Sequence, residues 1–150
     1  MKVNVFWRRS FLFCNKFEIT TPVSYAKRTE NDDRCLFLGN ECKGIVINKL
    51  DKPESSPRGL LASIYSKCKG TNKNISQPIY KKRYRYNSEQ YMLRFTYDNR
   101  NAIISCVSTK ENMYVVEFTY TGYIVNGWIK ECEQIINTIR IKQGENEYGD

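Results

Sequence analysis

Between residues 80 and 120 the chain runs through four segments of strand character parted by short polar stretches, and this run limits the fold more than any other feature. Residues 80–86 (Tyr-Lys-Lys-Arg-Tyr-Arg-Tyr) and 91–97 (Tyr-Met-Leu-Arg-Phe-Thr-Tyr) flank Asn87-Ser88-Glu89-Gln90, and residues 102–108 and 113–120 flank Thr109-Lys110-Glu111-Asn112. Aromatic and β-branched side chains at this density suit a pleated, half-buried surface. Connections this short join antiparallel neighbours, so the run predicts a four-stranded antiparallel meander. The eleven tyrosines fit it, because a tyrosine packs its ring inward and keeps its hydroxyl in water.

Two helical segments bracket the meander. Ser56 is placed to cap a helix with Pro57 at its first position, where the missing N–H costs nothing. Leu60, Leu61, Ile64, Tyr65 and Cys68 then recur on one face, and Gly70 is placed to close the helix in the left-handed conformation. The second segment has Asn126 at the cap position. Trp128, Ile129, Cys132, Ile135, Ile136 and Ile139 make its apolar face, with Lys130, Glu131, Glu133 and Asn137 opposite. The helices are expected at about 56–69 and 127–140.

Upstream, Phe17-Glu18-Ile19-Thr20 alternates ahead of Pro22, and residues 35–38 and 44–50 read as strands joined around Gly39-Asn40. Phe6, Trp7, Phe11 and Phe13 supply either a further core strand or the lining of a groove for a partner's apolar segment. These pieces predict an α+β fold, an antiparallel β-sheet with two main helices packed on it in an α/β/α sandwich-like arrangement. A single domain is expected over residues 1–150, with its core at about 3–141 and an acidic flexible tail at 143–150. A chain of 150 residues buries roughly two-thirds of its unfolded surface, which is enough for a core without covalent staples.

The chemistry is narrowed by an absence. The chain holds no histidine, which removes the commonest general base, the Ser-His and Cys-His nucleophile pairs and most transition-metal sites. It has no glycine-rich phosphate loop and no dinucleotide fingerprint. Glu117 and Glu131 stand apart from any second acid at a catalytic spacing, so an enzyme is not expected and no cofactor is called for. The six cysteines form no C-x-x-C pair, and Cys68, Cys106 and Cys132 lie in apolar patterns. They read as buried reduced thiols, with Cys35 and Cys42 the one pair placed to bridge a turn. No stretch approaches the ~20 apolar residues of a membrane span. Arg8 and Arg9 split the apolar residues near the N-terminus, against a secretion signal. The expected location is cytoplasmic.

Charge is uneven along the chain, at +11 over residues 1–86 and −3 over residues 87–150. The densest cluster is Lys81-Lys82-Arg83-Tyr84-Arg85. Strand alternation puts Lys81, Arg83 and Arg85 on one face, and Arg94 adds a cation from the neighbouring strand. Such a row is available to an acidic protein partner, or to phosphates with tyrosines stacking on bases. It is equally what a solvated strand kept from aggregating looks like. The group is expected to face solvent without partners.

The order of elements resembles the PsbP/DcrB-like superfamily, which includes Ran-binding Mog-type proteins and bacterial effector chaperones. The residues that carry the resemblance are Phe17-Glu18-Ile19-Thr20-Thr21-Pro22, the helix from Ser55 to Gly70, the meander ending in Tyr114-Val115-Val116-Glu117-Phe118, and the closing Ile135-Ile136-Asn137-Thr138-Ile139. Thr138 stands where that family usually has Ser, and Tyr25 stands for its aromatic after the proline. The resemblance spans most of residues 16–141. It implies an antiparallel sheet faced by helices, in a family whose members mostly bind proteins, and it carries over no binding residue. The expected function is therefore a non-enzymatic protein-binding module of adaptor, chaperone or immunity type, through Lys81, Arg83, Arg85 and Arg94. The alternative is a basic nucleic-acid-binding module using the strand from Lys81 to Arg85. Oligomeric state is left open.

Overall fold

The computed structural model describes residues 8–51, 56–85, 88–120, 122 and 125–142. Five strands come first: β1 (Arg8–Phe13), β2 (Phe17–Pro22), β3 (Ala26–Glu30), β4 (Arg34–Leu38) and β5 (Gly44–Asp51). Helix α1 (Pro57–Thr71) follows. The meander is β6 (Ile79–Arg85), β7 (Ser88–Tyr97), β8 (Arg100–Ser108) and β9 (Asn112–Tyr120), and the chain closes with α2 (Val125–Asn137) and β10 (Arg140–Ile141). A seven-stranded antiparallel sheet runs in the order β3-β4-β5-β9-β8-β7-β6, and β1, β2 and β10 form a separate small sheet. The α+β class and the packing of both helices on antiparallel sheet are as expected.

Alternation along β8 explains the layering. Ile103 and Val107 point into one core with Phe37, Ile45, Ile47, Val116 and Phe118, and that core is roofed by α2 and the small sheet. Ala102, Ile104 and Cys106 point into the other, with Leu93, Phe95 and Val115 under Leu61 and Tyr65 of α1. Buried on both faces, β8 reads as a nearly continuous apolar run. The two roofs differ. Phe13 and Phe17 of the small sheet stack against Tyr114, with ring centres 6.3 and 5.0 Å away. Trp128 of α2 lies 5.5 Å from Tyr120.

Several local expectations are corrected. Gly70 does not terminate α1: no glycine among the described residues has positive φ, and the helix runs to Thr71. Asn72 ends it instead, donating from both its backbone N–H and its side chain to the Cys68 carbonyl. The start of α1 is as read, with the Ser56 hydroxyl accepting from the Gly59 N–H at 3.0 Å. Asn126 does not cap α2, which is already helical from Val125. The same helix stops at Asn137 rather than 140, because the Thr138 hydroxyl donates to the Ile135 carbonyl and accepts from the Thr20 N–H, turning the chain into β10. In the first hairpin, pairing runs to Arg85 opposite Ser88, so Ser88, Glu89 and Gln90 are strand residues rather than turn. Strand β3, exposed along its whole length, and the two-residue β10 have no counterpart in the sequence reading. The proposed acidic tail at 143–150, together with Phe6 and Trp7, lies outside the described residues.

All six cysteines are free thiols: Cys35 is buried in the core, whereas Cys42 is exposed at the β4–β5 turn. Among the described residues no helix is long and apolar enough to cross a membrane.

Candidate functional site: a groove between α2 and the β6–β7–β8 end of the sheet

The roof over the α2 side of the large sheet is incomplete. The small sheet covers the part around β5 and β9, and the Trp128, Cys132 and Ile135 stripe of α2 closes down on the core. Toward the sheet edge at β6, only the outer flank of α2 remains, carrying Glu133, Ile136 and Asn137 at helical spacing. A groove of about 460 Å³ opens between that flank and the three strands.

Register defines its floor. Lys81 is opposite Met92 and Arg83 opposite Gln90, while Met92 is in turn opposite Ser105. All five share the α2 face of the sheet, and Met92 and Ile136 give it apolar walls. Gln90 and Ser105 are almost fully buried, at 2% and 1% exposure. Neither the Gln90 amide nor the Ser105 hydroxyl has a hydrogen-bond partner. Leaving a buried polar group unmatched costs about 1–3 kcal/mol, so two on one groove floor are a feature to be explained. A second, wider depression around Asn74, Thr96, Asp98 and Arg100 contains no such orphaned group.

The basic residues are only partly where the sequence put them. Lys81, Arg83 and Arg94 do share the α2 face, as alternation requires, but the expectation that the row is unpaired is overturned. The Lys81 ammonium lies 3.0 Å from the Glu133 carboxylate. Arg83 donates from Nη1 to the Asn137 side-chain oxygen. On the opposite face Lys82 pairs with Glu89 at 3.3 Å and lies over the Tyr91 ring. The cause is tertiary: α2 packs on β8 and β2, and across the groove its Glu133 and Asn137 meet the long β6 side chains as acceptors that no local reading along β6 reveals. Arg94 stands on β7 next to Ile79, half-buried and away from the groove lining. The side chain of Arg85 lies outside what the structure describes.

Gln90 and Ser105 were missed as site residues. In sequence Gln90 falls in a polar stretch between two strand-like runs, and Ser105 sits inside an apolar strand where a serine passes for core filler. A polar residue facing inward at a strand position was the available signal in both cases.

A second polar cluster clamps α2 from its other side. The Tyr25 hydroxyl donates to Glu131 at 2.5 Å, and Lys43 reaches the same carboxylate at 3.2 Å while lying over the Tyr120 ring. Burial, reinforced by the Glu131 hydrogen bond, pushes the Tyr25 phenol well above its usual range. Every partner in this cluster is matched, so it reads as structural. Among the described residues no three Cys, Asp or Glu side chains gather as metal ligands would.

No family model matches the chain, and no curated protein matches it by sequence. Solved structures do match by fold. Cyanobacterial PsbP (CyanoP) from Synechocystis sp. PCC 6803 superposes with a TM-score of 0.70 at 7% identity, over 95% of this chain and 96% of that one. A single-residue variant of protein Mog1 superposes at 0.63 and 5% identity, over 91% and 97%. The chain thus has the fold of PsbP and Mog1, which bears out the resemblance read from element order. At these identities the likeness concerns the fold alone.

Proposed function

We propose that this protein is a non-catalytic binding module that captures another protein in the groove between α2 and β6–β8. The observation that carries this is the pair of buried, unpartnered side chains, Gln90 and Ser105, on the floor of an open groove with a cationic rim. Groups held ready at a desolvation cost are characteristic of a recognition surface. The groove also opens beside β6, an edge strand of the large sheet. An edge of this kind offers main-chain donors and acceptors to an extended segment of a partner. The protein-binding character that the superfamily resemblance implies agrees with this reading, as does the missing general base. A cytoplasmic setting, where six thiols stay reduced, is part of the same proposal.

The nucleic-acid alternative is weakened by the pairing of Lys81, Lys82 and Arg83 with neighbours, since a phosphate track needs an open row of cations. Photo-crosslinking in cells of the native host tests the proposal. A benzophenone side chain at exposed Lys82, on the edge strand that borders the groove, should yield a protein adduct that the same probe at exposed Thr119, three strands away on β9, does not. Adducts from both positions alike, or nucleic acid in the Lys82 adduct, would count against it.

A further inference from the structure

We infer that the groove receives a carboxylate side chain from an extended, acidic segment of the partner. This deepens the reading of the groove as a protein-binding surface and rests on it. The groups around the groove are mostly donors. Gln90 and Ser105 line its floor, with the Gln90 amide N–H and oxygen and the Ser105 hydroxyl buried and unpartnered, and Lys81 and Arg83 stand on the edge strand β6. Register places Arg83 directly beside Gln90, and Ser105 beside Met92, which itself neighbours Lys81. Strands are spaced by about 4.8 Å, so one inserted acid comes within reach of donors from three adjacent strands.

The fold already contains a sample of that chemistry. Glu133 on α2 holds its carboxylate against Lys81 at the groove wall. Both side chains are well exposed, at 55% and 34%, and such pairs contribute little. An incoming carboxylate therefore exchanges with Glu133 at small cost and gains the buried donors that Glu133 does not engage. Met92 and Ile136 keep water from the floor and strengthen each charge-assisted hydrogen bond made there. A volume of about 460 Å³ admits one or two side chains of an extended segment, not a helix. The edge of β6 beside it lets that segment add main-chain bonds.

The test is fluorescence anisotropy on the full chain with a labelled peptide, acetyl-Gly-Ser-Glu-Val-Glu-Val-Glu-Ser-Gly-amide. The comparison probes are the same peptide with Gln for each Glu, and a single-stranded oligodeoxynucleotide of similar length. The Glu peptide should bind, and the Gln peptide should bind about tenfold or more weakly. Gln90→Met, close in shape but unable to donate, should weaken the Glu peptide by a similar factor. It should leave the Tm unchanged or raised, because it removes an unmatched buried amide. Glu133→Gln should tighten binding by removing the internal competitor, whereas Lys81→Gln should loosen it. Should Gln90→Met fail to fold, Ser105→Ala provides the same comparison.

No binding of the Glu peptide at low salt overturns the inference, as does a Gln90→Met variant that binds it normally. Equal binding of both peptides overturns the carboxylate claim while leaving a protein-binding groove intact. An oligonucleotide that displaces the peptide overturns both.

Discussion

Glu117 shows how one side chain sets a pH dependence. It lies on β9 between Val46 and Ile104 on the α1 side of the sheet. Burial pushes its carboxyl pKa upward, with Arg34 opposing. An acid whose folded-state pKa exceeds its unfolded value holds its proton longer when folded. Stability therefore falls as pH rises from the ordinary carboxylate range through the raised value, and stays lowered above it. Glu117→Gln should raise the Tm at neutral pH, and the gain should vanish below about pH 4, where unfolded carboxylates are themselves protonated. Thermal melts across a pH series check this; a gain unchanged at low pH would contradict it. At Tyr25 the matched hydroxyl predicts the opposite sign: Tyr25→Phe should cost about 1.5 kcal/mol in denaturant unfolding. Residues of this kind are the least legible in sequence. Nothing local to Lys81 or Arg83 announces that α2 brings Glu133 and Asn137 across from more than fifty positions away. Nothing local to Gln90 separates a turn residue from a buried strand residue.

At the scale of elements, the apolar stripes and the Ser56 cap were dependable, whereas the cap expected at Asn126 and the stop expected at Gly70 were not. The start of α1 was legible because Ser56, Pro57 and the apolar stripe all point the same way. Its end was not, because Gly70 carries a strong stop signal that the chain does not use. Gly70 is exposed and helical, and a Cβ added there meets nothing within 4 Å. Gly70→Ala should therefore stabilise by about 0.5–1 kcal/mol. A left-handed glycine would give a loss instead, so a denaturant titration separates the two. The turn between β7 and β8 carries a second element-level prediction. Asp98 and Asn99 both sit at positive φ, 46° and 64°, forming a two-residue link between paired Tyr97 and Arg100. Polar Asx residues tolerate that backbone and β-branched ones do not. Asn99→Val should lower the Tm, while Asn99→Gly should hold or raise it. Strand β3 escaped notice for a different reason. Being wholly exposed, it has no apolar face to produce alternation, and only its pairing with β4 makes it a strand.

For the molecule as a whole, the sandwich was legible because each layer writes its own period into the sequence, two for the meander and 3.6 for the helices. The division of the α2 side between two roofs was not, since it depends on where β1, β2 and β10 fold back. That division leaves the groove. Trp128 fixes its position by anchoring α2 on Tyr120, and Trp128→Ala should cost ~3–5 kcal/mol, read as a lowered denaturation midpoint. The central claim is that the unroofed strip between α2 and β6–β8 is the binding surface. Amide chemical shifts followed by NMR while the acidic peptide is titrated in test it most directly. Shifts concentrated on β6, on β7 around Gln90, at Ser105 and along Glu133 to Asn137 are the predicted result. Saturation with shifts confined to the β3–β4 edge or the α1 face, and none at Gln90 or Ser105, would contradict it.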